Sequence, residues 1–186
     1  EVGALCRALA IDGGAVMDIF ACDTRLNLSA SYLRPGFAFG GPCLPKDIAA
    51  LVHRAGVLAL DLPLTASILP ANERQIARAV DRVRASGRRR VSLLGLAFKA
   101  ETGDLGGSPF LALALRLIES GVDLRVFDPY VDFADLVRDA AGGDAGVLLV
   151  SRIAVASLDQ ALAHGEADVL GTRHRAFADL GGKLKP

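Results

Sequence analysis

The sequence predicts an α/β protein in two parts, a helical region over residues 1–86 and a parallel-sheet α/β domain over 87–186. Three observations carry this. The first half repeats apolar residues at helical spacing around one glycine- and proline-rich loop. After SGRRR the pattern changes to VSLLGLAF, a continuous apolar run of the kind found in strands buried on both faces. The segments SPFLALALRLIES and DLRVFDPYV then follow as a helix and a second strand, which completes a βαβ unit.

Taken in order, Val2, Leu5, Leu9, Val16 and Ile19 suit two amphipathic helices broken at Asp12-Gly13-Gly14. Residues 21–42 lose that periodicity, and RPGFAFGGPCLP reads as an ordered loop. PKDIAALVHRAG begins a new helix with Pro45 in its first turn, where the missing N–H has no intrahelical partner to lose. A long helix is expected from about Leu64 to Ala85, with Pro70 forcing a kink or a fresh start near Ala71. In the tail, GVLLVS, the helix SLDQALAHG and the short apolar ADVL repeat the strand-helix theme more weakly.

With 186 residues and 52% hydrophobic content, the chain has material for a packed core. Lys plus Arg number 21, as do Asp plus Glu, so no global field favours nucleic acid or an acidic membrane. Three cysteines without CxxC or Cys/His spacing argue against a disulfide framework or a metal site, and point to a reduced cytoplasm. There is no signal peptide pattern and no apolar run near 18 residues. The opening reads as helix without a starting cap, as if cut inside a larger protein. His53, His164 and His174 have no partners at metal spacing and are expected on helix faces or the surface. Arg88-Arg89-Arg90 reads as a solvated linker, and Cys6 and Cys22 as core.

The segment SYLRPGFAFGGPCLPKD concentrates the chemistry. Gly40 and Gly41 allow close approach of the backbone to a ligand, and Pro42 and Pro45 stiffen the turn that carries Cys43. Standing before a helix N-terminus, its thiolate is favoured. On residue type alone, a free cysteine is more often a small buried hydrophobe. Asp47, one turn on, faces the same way and is placed to orient a water. Lys99 directly follows the strand VSLLGLAF, at the carboxyl edge where open parallel sheets bind ligands. Ser108 and Pro109 read as a capped helix start and an anion site.

FGGPCLPKD is very similar to the catalytic loop of the UDP-glucose/GDP-mannose 6-dehydrogenase family, and YLRPGFAFGGPCLPKD resembles its GDP-mannose branch. LLGLAFKAETGDLGGSP and LRVFDPYV extend the resemblance over nearly the whole chain. It implies a central helical dimerisation region followed by a Rossmann-like nucleotide-sugar domain, a homodimer, and oxidation of a sugar C6 alcohol to a carboxylate with two NAD molecules. Cys43 would be the nucleophile that forms a thiohemiacetal and then a thioester, and Asp47 would assist the hydrolytic water. Lys46 would reach the cofactor. Tyr32, Arg34, Phe37, the backbone at Gly40 and Lys99 would hold the nucleotide sugar, with Asn27 a further polar group there. A link to alginate-type polysaccharides is implied.

Two departures bear on activity. No GxGxxG fingerprint occurs, so NAD has no main site on this chain. Gly106 stands where the family has an arginine that helps bind cofactor. The readings left open are therefore a GDP-mannose 6-dehydrogenase as a partial chain, the same chemistry on UDP-glucose, a non-catalytic dimerisation or nucleotide-sugar-binding module, and a redox-sensing thiol.

Overall fold

The computed structural model describes residues 6–7, 10–24, 35–138, 145–180 and 182–185. The chain divides into two compact units, residues 1–37 and 38–186. In the first, Ala10 takes a left-handed conformation (φ 54°) and Ile11 N–H donates to Cys6 O at 2.8 Å, closing a helical turn. Asp12 then caps helix α1 (Gly13–Ala21) by accepting from Gly14 N–H. Cys22 ends this helix and is exposed, so it is not the core residue expected; Cys6 is buried.

The second unit opens with α2 (Leu44–Val57) and α3 (Pro63–Ala85), both with proline in the first turn. Helix α3 runs unbroken through Pro70, so the fresh start expected at Ala71 does not occur. The proline removes the N–H that would otherwise bond the carbonyl of Ala66, and Ala66 is an exposed residue. Ile76 and Val80 form the buried stripe of α3.

Strand β1 (Arg90–Leu94) lies between β2 (Asp123–Phe127) and β3 (Ala167–Leu170), all parallel, in the order β2-β1-β3. Val91, Leu93 and Leu94 are fully buried, as expected for a central parallel strand. Alternation splits its side chains. Val91 faces a groove lined by α3 and by Leu113 of α4 (Pro109–Glu119). Leu94 joins Ala161 of α7 (Leu158–His164), Phe177 and Leu180 on the other face. Helix α4 has Leu111, Leu113, Ala114 and Leu117 buried on one side, the 3.6-residue stripe legible in SPFLALALRLIES.

Two short helices complete the unit, α5 (Phe133–Arg138) and α6 (Ala145–Ser151). The latter corrects the strand expected for GVLLVS. Wound as a helix, the run buries Val150 and half-buries Val147, while Leu149 stays exposed. The strand position beside β2 is taken instead by Ala154, which bridges Val126 in parallel. No described helix is long and apolar enough to cross a membrane.

Candidate functional site

The loop 38–43 is held by close backbone contact. Gly40 is buried, and a Cβ there would lie 2.6 Å from Pro109 Cδ and closer still to Gly107 O. Gly41 has φ +84°, donates its N–H to Gly107 O at 3.0 Å, and leaves no room for a side chain against the Phe98 ring. The two glycines therefore let FGGPC lie directly on the GDLGGSP turn. Asn72 of α3 grips the preceding residue on both sides, with Phe39 N–H donating to Oδ1 and Nδ2 donating to Phe39 O, each at 2.9 Å. Residue pattern alone did not single out Asn72. Its signal was a poor helix former in a helix interior, two residues past a proline.

Cys43 follows as the N-cap residue of α2, is exposed, and makes no side-chain capping bond. It is not a buried hydrophobe. Asp47 N–H donates to Cys43 O at 2.9 Å, which fixes one helical turn between the two residues. Lys46 and Asp47 form an ion pair at 3.5 Å with both side chains about two-thirds exposed or more, 72% and 67%. Such a pair contributes little to stability and is free to exchange for ligand contacts. Phe37 is half-buried. Asn27, Tyr32 and Arg34 lie outside the described residues.

Lys99 is exposed on the hairpin 98–104 that follows β1. The hairpin is closed by Phe98 N–H to Asp104 O at 2.7 Å and Thr102 Oγ1 to Lys99 O at 2.8 Å. Its base rests on Asp128, buried at the end of β2. Asp128 Oδ2 accepts from Leu96 N–H (2.7 Å), Ala97 N–H (2.9 Å) and His174 Nε2 (3.1 Å), and Oδ1 accepts from Tyr130 N–H (2.9 Å). His174 is buried rather than on a surface. Its Nδ1 accepts the N–H of Glu101 at 3.0 Å, which puts its proton on Nε2, toward Asp128. The ring packs between Tyr130 and Phe177, at centroid distances of 4.9 and 5.6 Å.

Glu101 adopts φ 62°, a left-handed conformation costing a non-glycine residue about 1–2 kcal/mol. Its carboxylate is fixed at both oxygens, by Tyr130 OH (2.6 Å) and by Arg175 N–H (2.7 Å). These bonds, Tyr130 first, hold its pKa below the ordinary 4.5, and the same bond raises Tyr130 above 10.0. The lowered carboxylate adds stability that is complete above pH 4.5 and is lost as pH falls through its folded value. The raised phenol adds stability that is complete below pH 10.0 and is lost as pH rises through its own. The Tm difference between wild type and Tyr130→Phe is therefore expected across pH 5–9 and to shrink at both ends; a pH-independent difference would refute the pair.

The helix start at Ser108 is not the open anion site expected. Ser108 Oγ donates to Leu96 O and accepts from Phe110 N–H and Leu111 N–H, and Pro109 brings no donor. The cap is buried under the Gly40 loop. The sheet also departs from a dinucleotide site, which presents a free acidic side chain after the second strand and an uncovered helix N-terminus. Asp128 is spent inward and the α4 terminus is closed, so among the described residues of 90–185 neither of these two features is open to a dinucleotide. At Gly106, the N–H bonds Asp104 Oδ1 at 2.8 Å inside this turn.

The central-domain model of the UDP-glucose/GDP-mannose dehydrogenase family matches residues 1–74, and the family's UDP binding domain model matches residues 92–185. The chain is 41% identical over 181 residues to GDP-mannose 6-dehydrogenase from Pseudomonas aeruginosa, covering 97% of this chain and 42% of that protein. It is 29% identical over 174 residues to UDP-glucose 6-dehydrogenase from Haloferax volcanii, covering 86% of this chain and 40% of that protein. Among solved structures, a ternary complex of GDP-mannose dehydrogenase from P. aeruginosa matches with TM-score 0.72 and 40% identity, over 98% of this chain and 42% of that one. A UDP-glucose dehydrogenase from Pyrobaculum islandicum matches with TM-score 0.80 and 28% identity, over 96% and 40%. The chain thus spans about two-fifths of the length of these relatives.

Proposed function

Because the chain belongs to the UDP-glucose/GDP-mannose dehydrogenase family, we propose that it forms the central and nucleotide-sugar-binding portions of an enzyme that oxidises the C6 alcohol of GDP-mannose to GDP-mannuronate. The observation that carries this is the exposed Cys43, set at a helix start by a loop that two glycines and Asn72 fix to the α/β core. In this reading Cys43 Sγ adds to C6 of the sugar aldehyde, and water oriented by Asp47 hydrolyses the later thioester. NAD, when bound, would take the two hydrides, one as the C6 alcohol becomes the aldehyde and one as the Cys43 thiohemiacetal becomes the thioester, with Lys46 reaching it. Tyr32, Arg34, Phe37, Asn27, the Gly40 backbone and Lys99 hold the nucleotide sugar, the last of these from a hairpin bolted to the sheet.

Residues 1–86 are read as the dimerising region and 87–186 as the nucleotide-sugar domain of a cytoplasmic homodimer. Exposed Leu51, Leu58, Leu60 and Leu64 on α2, α3 and the turn between them supply an apolar surface for pairing of helices. The second reading is a nucleotide-sugar-binding module that does not turn over. Gly106, standing where the family has an arginine that helps bind cofactor, favours it.

A thermal-shift titration with GDP-mannose, UDP-glucose and NAD separates these. A ligand at one hundred times its Kd stabilises the native state by about 2.7 kcal/mol. A rise in Tm with GDP-mannose alone is expected. A rise with UDP-glucose alone would transfer the assignment to that substrate, and no rise with either sugar nucleotide would overturn substrate binding by this chain. Residues 1–186 alone are expected to form no NADH from GDP-mannose, because no GxGxxG motif occurs in them, and NADH formation would overturn this.

A further inference from the structure

We propose that Asn72 is a positioning residue for Cys43, acting through the backbone of Phe39. A carboxamide carries a donor and an acceptor at the spacing of a peptide group, and Asn72 uses both on one residue, each bond at 2.9 Å. Phe39 is followed by Gly40 against Pro109 and by Gly41 hydrogen-bonded to Gly107 O. The loop is thus gripped at three consecutive residues, and Cys43 stands two residues beyond.

The thiol has no capping bond of its own, so its place follows from that backbone. The support behind Asn72 is firm. Its neighbour Glu73 pairs with Arg116 of α4, and Ile76 and Val80 bury the next turns of α3. Helix α3 therefore connects the cysteine loop to the α/β core through one amide group. That Cys43 is a nucleophile rests on the reading above, whereas the grip on the loop does not.

The test is amide hydrogen exchange of the full chain, compared among wild type, Asn72→Ala and Asn72→Asp. Asn72→Ala is expected to lower protection at Phe39 and Gly41 at least tenfold while amides of β1 and α4 keep theirs. Gly41 is decisive because Asn72 does not touch it. In Asn72→Asp the ionised carboxylate still accepts from Phe39 N–H but lacks the donor for Phe39 O and repels it, so protection at Gly41 is expected to be low at pH 7. It should recover as pH falls toward about 4, where a carboxylic acid again offers one donor and one acceptor. Asn72→Ala should show no such recovery.

Unchanged protection at Gly41, an equal loss in β1 and α4, or no recovery in Asn72→Asp would each overturn the proposal. Absence of a GDP-mannose shift in wild type, with the exchange pattern intact, counts against the functional reading alone.

Discussion

Replacing Asp128 by alanine is expected to destabilise residues 38–186 by about 3–5 kcal/mol, the range for removing one partner from a buried charged network. The Asp128 side chain is fully buried and its carboxylate accepts four hydrogen bonds, from Leu96, Ala97 and Tyr130 N–H and from His174 Nε2. Truncation orphans all four donors. Each buried group left without a partner costs about 1–3 kcal/mol, and part of that is recovered where water enters the vacated space. Asp128→Asn retains one acceptor and should fall between alanine and wild type. The measurement is denaturant unfolding followed by far-UV circular dichroism. A loss below about 1 kcal/mol would mean that the Lys99 hairpin does not depend on this carboxylate.

Gly95→Ala is expected to cost about 2–4 kcal/mol. Gly95 closes β1 with φ +88°, where a side chain costs about 1–2 kcal/mol. A Cβ would also stand 2.5 and 2.7 Å from Thr172 O and N, backbone atoms of the turn after β3. Overlap of that kind adds about 1–3 kcal/mol, and the gain in unfolded-chain stiffness offsets only about 0.4–1. Gly121 separates the two causes. It has φ +81° with nothing within 4 Å of a Cβ, so Gly121→Ala should show the dihedral cost alone. Equal losses for the two variants would remove the argument for close approach of the β1 and β3 turns.

Both predictions concern the carboxyl edge of the sheet, and they explain why the support of Lys99 was not readable from the sequence. Asp128 and His174 are 46 residues apart in sequence, and Glu101 and His174 are 73 apart. Nothing in the spacing of three such residues marks a buried contact. His174 sits among polar neighbours in GTRHRAF, which reads as surface. What buries it is the parallel sheet, which brings the ends of β1, β2 and β3 to one edge and leaves a space that the imidazole fills. The Ser108 site fails for a related reason. A Ser-Pro helix start signals a cap correctly, yet whether its remaining donors meet ligand or protein depends on the chain lying over it, here Gly40.

The helix α6 shows the limit of periodicity. GVLLVS fits a buried strand or one side of a short helix equally, and the choice fell to which segment could bridge Val126; Ala154 did so. Pro70 is a comparable case. Its cost in a helix is real, but its exposed position and the packing of Ile76 and Val80 allow the helix to continue.

By itself, the sequence determined the α/β class, the βαβ unit from VSLLGLAF to DLRVFDPYV, the glycine-proline loop that ends at Cys43, and the family. These are properties of local pattern, since apolar period, turn residues and contiguous motifs act within a few residues of one another. The tertiary structure alone decided that Asn72 clamps Phe39, that Asp128 and His174 carry the Lys99 hairpin, and that the α4 terminus is closed. Each of these depends on hydrogen bonds or packing between segments 12 to 73 residues apart, where a group's partner is set by how the sheet and helices come together rather than by its own neighbours.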